Sequence, residues 1–131
     1  MKRFLIHICL LLSVLTFNCQ NTTNTKATRL TSEEFQLSIN NDSILLIDVR
    51  KPSEYIAGHI ANAVNIDFLS EDFSSNISKL NKKKPVYIYC RSGKRSNESI
   101  IEFEKAGFSK IYDLEGGILK WESKGLETVT K

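Results

Sequence analysis

The sequence predicts an α/β fold in which a central, mainly parallel sheet is flanked by helices. The first observation is a set of short, continuous apolar runs, such as residues 43–49, which are too short for ordinary helices and suit strands buried on both faces. The second is that these runs alternate with helical patterns along the chain, as expected where crossover helices join parallel strands.

The first predicted element is a short helix that begins at a capping box. Thr31 stands at the N-cap and Glu34 three residues later, so that each can bind the backbone N–H of the other. Leu30 and Phe35 stand where a hydrophobic staple would close over this turn. The helix is predicted to end near Ile39, before a polar Asn-Asn-Asp segment.

Four strands and two further helices are predicted after this helix. The strand candidates are residues 43–49, 63–66, 85–89 and 110–114. A helix runs from about residue 94 to 106, Gly107 suits its C-terminal end, and one face of it is formed by Ser96, Ile100, Phe103 and Ala106. A final short helix contains Trp121 and follows Gly116 and Gly117.

The composition is that of one ordinary globular domain. The chain has 131 residues, of which 41% are hydrophobic and 25% are charged. Its formal net charge is +3, but residues 1–18 contribute Lys2 and Arg3 and no acid, which leaves 16 basic and 15 acidic residues in the remainder. A net charge of +1 (16 minus 15) gives no case for nucleic-acid binding or for a general affinity for membrane surfaces. Any useful positive charge must be local.

Residues 1–18 are predicted to be a signal peptide of the lipoprotein type. A short basic start precedes an apolar run from Phe4 to Phe17, which as a helix would span about 21 Å, less than the roughly 30 Å hydrocarbon core. Cys19 follows directly and resembles the lipobox cysteine of bacterial lipoproteins, which is diacylated and becomes the mature N-terminus. Asn18 and Thr16 depart from the usual pattern, which has a small residue just before the cysteine and an aliphatic residue three before it. An ordinary secreted protein cleaved nearby and an uncleaved N-terminal anchor are the alternatives.

The rest of the chain divides into a tether and a domain. Residues 19–29 are predicted to be the lipidated cysteine and a flexible tether, because they are polar and rich in Asn and Thr, and residues 30–131 the domain. We expect this domain to be exported to the periplasmic or cell-surface side and held there by the lipid on Cys19. If Cys9 is removed with the signal peptide and Cys19 is acylated, Cys90 is the only free thiol and no intramolecular disulfide can form.

Cys90 is the candidate nucleophile. Cys90 directly follows the third predicted strand, at the sheet edge where α/β proteins bind ligands. A helix is predicted to begin shortly after Cys90. Three cations follow within five residues, at Arg91, Lys94 and Arg95, and Gly93 lets the loop turn tightly. A thiolate is the reactive form of cysteine, and backbone N–H groups and cations of this kind stabilise it. The alternatives are an inert cysteine buried in a strand and a solvated basic loop, with Arg95 serving mainly to brace the loop.

Three motifs resemble those of one family, the rhodanese-like sulfurtransferases. The segment Cys90-Arg91-Ser92-Gly93-Lys94-Arg95-Ser96 resembles the active-site loop whose cysteine accepts a sulfane sulfur. Residues 48–60 resemble the upstream signature, and residues 114–121, with Gly125, resemble the C-terminal signature. Together the matches extend over about residues 30–129. The resemblance implies the three-layer rhodanese-like fold.

The resemblance also implies a reaction. Cys90 would take sulfur from a small anionic donor such as thiosulfate, hold it as a persulfide, and pass it to a thiol or to cyanide. The loop residues from Arg91 to Ser96 would bind the substrate. No metal or organic cofactor is implied, and the only histidines, His7 and His59, form no cluster with metal-ligand spacing.

The upstream signature supplies supporting residues. We expect Asp48 and Arg50 to form a polar brace near the site, and Glu54 to join local hydrogen bonds. His59 is expected to be structural rather than a general base.

The sequence is also compatible with two rival functions. Phosphatases and arsenate reductases of related fold have five residues between the cysteine and the arginine of the loop, whereas four separate Cys90 from Arg95. The shorter loop makes a smaller pocket, which suits a sulfur atom better than a tetrahedral oxyanion. The second rival is a rhodanese-like sulfur carrier or protein-binding module that does not turn over with small acceptors.

Overall fold

Residues 27–131 are described by the structure, a computed structural model. Five strands alternate with five helices in chain order: β1 Ala27–Leu30, α1 Ser32–Ile39, β2 Leu45–Asp48, α2 Pro52–Ala57, β3 Val64–Asn65, α3 Phe73–Ser78, β4 Val86–Tyr89, α4 Lys94–Lys105, β5 Ile111–Leu114 and α5 Gly117–Ser123. The alternation confirms the predicted α/β class.

The strands form one parallel sheet in the order β1-β5-β4-β2-β3. Ala27, Val86 and Ile111 are level in register, since Ile111 pairs with each of the other two. Because every pair is parallel, all the amino ends lie at one edge of the sheet and all the carboxyl ends at the other.

Helices cover both faces of the sheet and enclose two apolar cores. Alternate residues of β4 point to opposite faces, as the strand pleat requires. Val86 and Ile88 pack with helices α3 and α4, and Tyr87 and Tyr89 pack with helices α1 and α5. This arrangement confirms the three-layer fold and explains why the β4 sequence is apolar throughout.

The two best-supported helix predictions are confirmed. Thr31 and Glu34 form the capping box of α1, with distances of 3.3 Å from the Glu34 N–H to Thr31 Oγ1 and 2.9 Å from the Thr31 N–H to Glu34 Oε2. Helix α4 begins at Lys94 and ends at Lys105, and Gly107 then adopts a positive φ of 100°.

The predicted boundaries differ from the structure in three places. The tether was expected to continue to residue 29, but Ala27–Leu30 pair with β5 as an edge strand, which its polar Thr-Arg centre does not signal. Helices α2 and α3 were not predicted, because each has only six residues and α3 is rich in Ser and Asn, which favour helices weakly. The second predicted strand is shorter than expected and comprises only Val64–Asn65.

The predicted signal peptide, Cys19 and the tether up to residue 26 lie outside the described residues. Among residues 27–131, no helix has both the length and the apolar character needed to cross a membrane.

Candidate active site

Cys90 lies at the carboxyl end of β4 and beneath the loop that leads into α4. Cys90 is only 1% exposed, and among residues 27–131 it is a free cysteine. The N–H of Gly93 donates to Cys90 Sγ over 3.1 Å. Gly93 has a φ of 98°, a left-handed conformation that turns the loop back over the sulfur. The twelve-residue helix α4 begins at the next residue, so its positive dipole end is at the sulfur.

The start of α5 fixes the carbonyl groups of the cysteine loop. The N–H of Ile118 donates to the Cys90 carbonyl at 2.9 Å, and the N–H of Leu119 donates to the Arg91 carbonyl at 3.1 Å. These bonds direct the carbonyls of Cys90 and Arg91 toward α5, while the Gly93 N–H donates to the sulfur.

Gly117 makes this approach possible. A Cβ atom at Gly117 would lie 2.5 Å from the carbonyl oxygen of Arg91 and 2.6 Å from that of Cys90. The sequence predicted only that a short helix follows Gly116 and Gly117. The pair of glycines was the available signal for a backbone that must come very close to another segment.

Arg95 and Glu54 form a bidentate ion pair across the site. The two guanidinium–carboxylate distances are 2.7 and 2.9 Å, and the two side chains are 20% and 26% exposed. The hydrogen bonds from Arg95 hold the pKa of Glu54 at about 2, well below its ordinary value. The pair connects the first turn of α4 to α2, so Arg95 is committed to a contact within the protein rather than free for a ligand.

Arg91 and Lys94 are the uncommitted cations of the loop. Both are exposed, and within residues 27–131 neither forms an ion pair or a side-chain hydrogen bond. Ser92 is exposed beside them. Ser96 is fully buried, and its hydroxyl donates to the Gly93 carbonyl at 3.2 Å. The loop therefore combines two free positive charges at its surface with polar contacts that hold its base.

Asp48 and Arg50 form a buried pair at the end of β2. Arg50 Nη2 lies 2.6 Å from Asp48 Oδ2 and also donates to the Gly58 carbonyl at 2.7 Å. Its guanidinium lies 5.7 Å from the ring centre of Tyr89, the residue before the cysteine. Asn65 Nδ2 donates to the carbonyls of both Asp48 and Arg50, at 2.9 and 2.7 Å. This network ties β2, β3 and the segment after α2 together beside the site.

His59 is buried and contacts Tyr55 and the C-terminal segment. Its ring stacks on Tyr55 with a centroid distance of 3.7 Å, and Nδ1 donates to the Tyr55 carbonyl at 2.8 Å. Its backbone forms a two-way bridge with Val129 in the C-terminal segment. These contacts join His59 to α2 and to the end of the chain, and none of them reaches Cys90.

The arrangement suits a sulfur nucleophile that carries negative charge. A thiolate or persulfide sulfur at Cys90 would accept hydrogen bonds from loop N–H groups, and the free cations of the loop would attract an anionic substrate. Among residues 27–131, no three His, Cys, Asp or Glu side chains are grouped so that they could hold a metal ion.

Comparison with known proteins agrees with this arrangement. The family model for the rhodanese-like domain matches residues 31–124. A sulfurtransferase of Allochromatium vinosum is 33% identical over 88 residues, which cover 67% of this chain and 80% of that protein. A tRNA uridine(34) hydroxylase of Pelagibacter ubique is 34% identical over 99 residues, which cover 75% of this chain but only 33% of the hydroxylase.

A solved structure gives the same result for the fold. The crystal structure of a rhodanese-related protein from Thermoplasma volcanium superposes with a TM-score of 0.69 at 28% identity, and the match covers 79% of this chain and 98% of that one. Because the family model matches most of this chain, the chain belongs to the rhodanese-like domain family.

Proposed function

We propose that this protein is a sulfurtransferase that carries a sulfane sulfur on Cys90 as a persulfide. The observation that carries the proposal is the position of the Cys90 sulfur, which accepts the Gly93 N–H at 3.1 Å at the start of α4. The sulfurtransferase of Allochromatium vinosum, to which the chain is similar, supports the same chemistry.

The reaction is a double displacement that needs no external oxidant or reductant. The Cys90 thiolate attacks the outer sulfur of thiosulfate, an S–S bond to Cys90 forms, and the bond to the sulfonate sulfur breaks. Sulfite leaves with the electron pair of that bond. A thiolate or cyanide then attacks the outer sulfur of the persulfide, and Cys90 departs as the thiolate.

The N–H groups and the cations of the loop have different roles in this reaction. The backbone N–H groups of the loop, among them that of Gly93, donate hydrogen bonds to the negatively charged sulfur on Cys90 before and after sulfur transfer. Arg91 and Lys94 attract the donor, whose sulfonate oxygens carry the charge. Arg95 keeps the loop in place through Glu54, and no metal or organic cofactor takes part.

The rate of thiocyanate formation distinguishes an enzyme from the rival sulfur carrier or binding module. The protein is mixed with thiosulfate and excess cyanide, and thiocyanate is measured over time, with Cys90→Ser as the control. An enzyme makes many thiocyanate ions per chain at a constant rate, and the control makes none. A chain that loads one sulfur on Cys90 but forms thiocyanate only slowly would instead support a sulfur carrier, and no product at all would support a binding module.

We also propose that the domain is exported and anchored to a membrane by a lipid on Cys19. The apolar run before Cys19 and the polar segment after it support this proposal. Cys19→Ala should release the domain from the membrane fraction or block its processing, whereas Cys9→Ala, a matched change within the predicted signal peptide, should leave both unchanged. Normal processing and membrane fractionation of Cys19→Ala would contradict the anchor.

A further inference from the structure

The end of the sheet opposite Cys90 carries a cluster of lysines, which we call the basic face. The loop from α3 to β4 and the residue before β5 contribute them: Lys79, Lys82, Lys83, Lys84 and Lys110. Because the five strands are parallel, both segments lie at the amino ends of their strands. The carbonyl of Lys110 accepts the N–H of Val86 at 2.9 Å, which joins the two segments directly.

The basic face is not neutralised by its surroundings. Among residues 27–131, none of its five lysines forms an ion pair with a carboxylate. Lys84 Nζ donates to a backbone carbonyl, that of Asp42, at 3.0 Å. Acids at the same end of the sheet are Asp42, before β2, and Glu102 and Glu104, in the last turn of α4, and Glu102 is paired with Lys105 at 2.9 Å. The lysines outnumber the acids although the chain after residue 18 is almost neutral.

The chain enters the domain at this same end. Strand β1 begins at Ala27, which is paired with Ile111 at about one strand spacing, roughly 4.8 Å, and Lys110 is the residue next to Ile111. Eight residue steps separate Cys19 from Ala27, which span at most about 28 Å when fully extended. An anchor on Cys19 would therefore keep the basic face close to the lipid.

We propose that the basic face binds the anionic headgroups of the bilayer in which Cys19 is anchored, and that the Cys90 loop consequently faces away from the membrane. The orientation rests on the proposed lipidation of Cys19. Four residue steps along β4 separate Val86 from Cys90, which places the site about 13 Å above the basic face. The donor and the acceptor would then reach Cys90 from the aqueous side.

The physical basis is weak binding made effective by tethering. Each lysine near an anionic surface strengthens binding about fivefold at physiological salt, and high salt removes the effect. A short tether supplies an effective concentration in the range of about millimolar, so a few such contacts are enough to set the orientation.

Chemical labelling of lysines tests the orientation in the full chain. The protein recovered from cell membranes is reconstituted in vesicles of phosphatidylcholine alone or with phosphatidylglycerol, and a membrane-impermeant acylating reagent is applied. Mass spectrometry of the digest gives a labelling rate for each lysine. The same digest shows whether the peptide that begins at Cys19 is acylated, so failure of the anchor is detected separately.

The expected result is selective protection that depends on charge. The five lysines of the basic face should label at least fivefold more slowly in the anionic vesicles, while Lys51 and Lys131, which are exposed elsewhere, should label at unchanged rates. Added salt at about 1 M should remove the protection. Equal rates for the five lysines in both kinds of vesicle would overturn the proposal.

Variants and a second polyanion complete the test. The triple change Lys82→Gln, Lys83→Gln and Lys110→Gln should remove the protection of Lys79 and Lys84, whereas the matched triple change Lys51→Gln, Lys124→Gln and Lys131→Gln should preserve it. Protection by double-stranded DNA at the same phosphate concentration, as strong as that by vesicles, would overturn the assignment to lipid in favour of a general polyanion surface.

Discussion

At the scale of single residues, Lys94 is where donor binding can be separated from catalysis. Its ammonium is exposed beside the cysteine loop and has no partner among the described residues. Lys94→Ala should therefore lower kcat/KM for anionic thiosulfate about tenfold, the size expected for one charge-assisted contact, and leave a neutral donor almost unaffected. Lys51→Ala, an exposed lysine outside the loop, is the matched control. Equal losses for the two donors would count against a role of Lys94 in binding the anion.

Gly117 is the residue whose backbone geometry the loop depends on most directly. Gly117→Ala should destabilise the domain by about 2 kcal/mol or more and abolish sulfur loading, because its Cβ would collide with the loop carbonyls. Gly125→Ala separates the two causes, since Gly125 also has a positive φ, of 74°, but has open space around it. That control should cost only about 1 kcal/mol and keep the activity. Chemical denaturation and the thiocyanate assay measure both variants, and similar losses would contradict the proposed close contact.

At the scale of the elements, the Glu54–Arg95 pair joins α2 to the start of α4. Since the pKa of Glu54 is about 2 in the folded protein and higher when unfolded, its stabilising effect is present above the unfolded value and is lost as the pH falls toward 2. Glu54→Gln should lower the free energy of unfolding by about 2 kcal/mol at pH 7. The difference between the two proteins should shrink steadily below about pH 4.5 in denaturation curves. A difference that does not change with pH would show that the charge of Glu54 is not what stabilises the junction.

The elements differ in how well the sequence predicts them, for physical reasons. Strand β4 and helix α4 could be predicted because both are buried along a whole face, which leaves a clear apolar pattern. Strand β1 could not, because an edge strand needs only backbone pairing with β5 and its central residues, Thr28 and Arg29, are exposed. Helix α2 is held by its first turn, through Pro52 and the Glu54 cap, rather than by an apolar face.

At the scale of the whole molecule, the site combines segments that are contiguous in sequence with segments that are not. The cysteine, the glycine and the cations could be predicted because one strand, loop and helix carry them all within residues 90–96. The N–H groups of Ile118 and Leu119 that fix the loop carbonyls could not, because any residue type supplies an N–H and only the fold brings α5 to the loop. Likewise, the sequence does not show which residue pairs with Arg95, because only the fold brings α2 against α4.

The fold places the candidate active site and the basic face at opposite edges of the sheet. The carboxyl ends of the strands carry the cysteine and its free cations, and the amino ends carry the chain entry and the basic face. A parallel sheet makes this separation possible, since all strands share one direction. We therefore expect chemistry and anchoring to be altered independently by substitutions at the two ends.

The measurement that tests the central claim most directly is the intact mass of the protein after exposure to thiosulfate. We predict that the reduced protein gains one sulfur atom, that cyanide removes it, and that Cys90→Ser gains none. A folded protein with a titratable Cys90 thiol that gains no sulfur from thiosulfate, polysulfide or a low-molecular-weight persulfide would contradict the account.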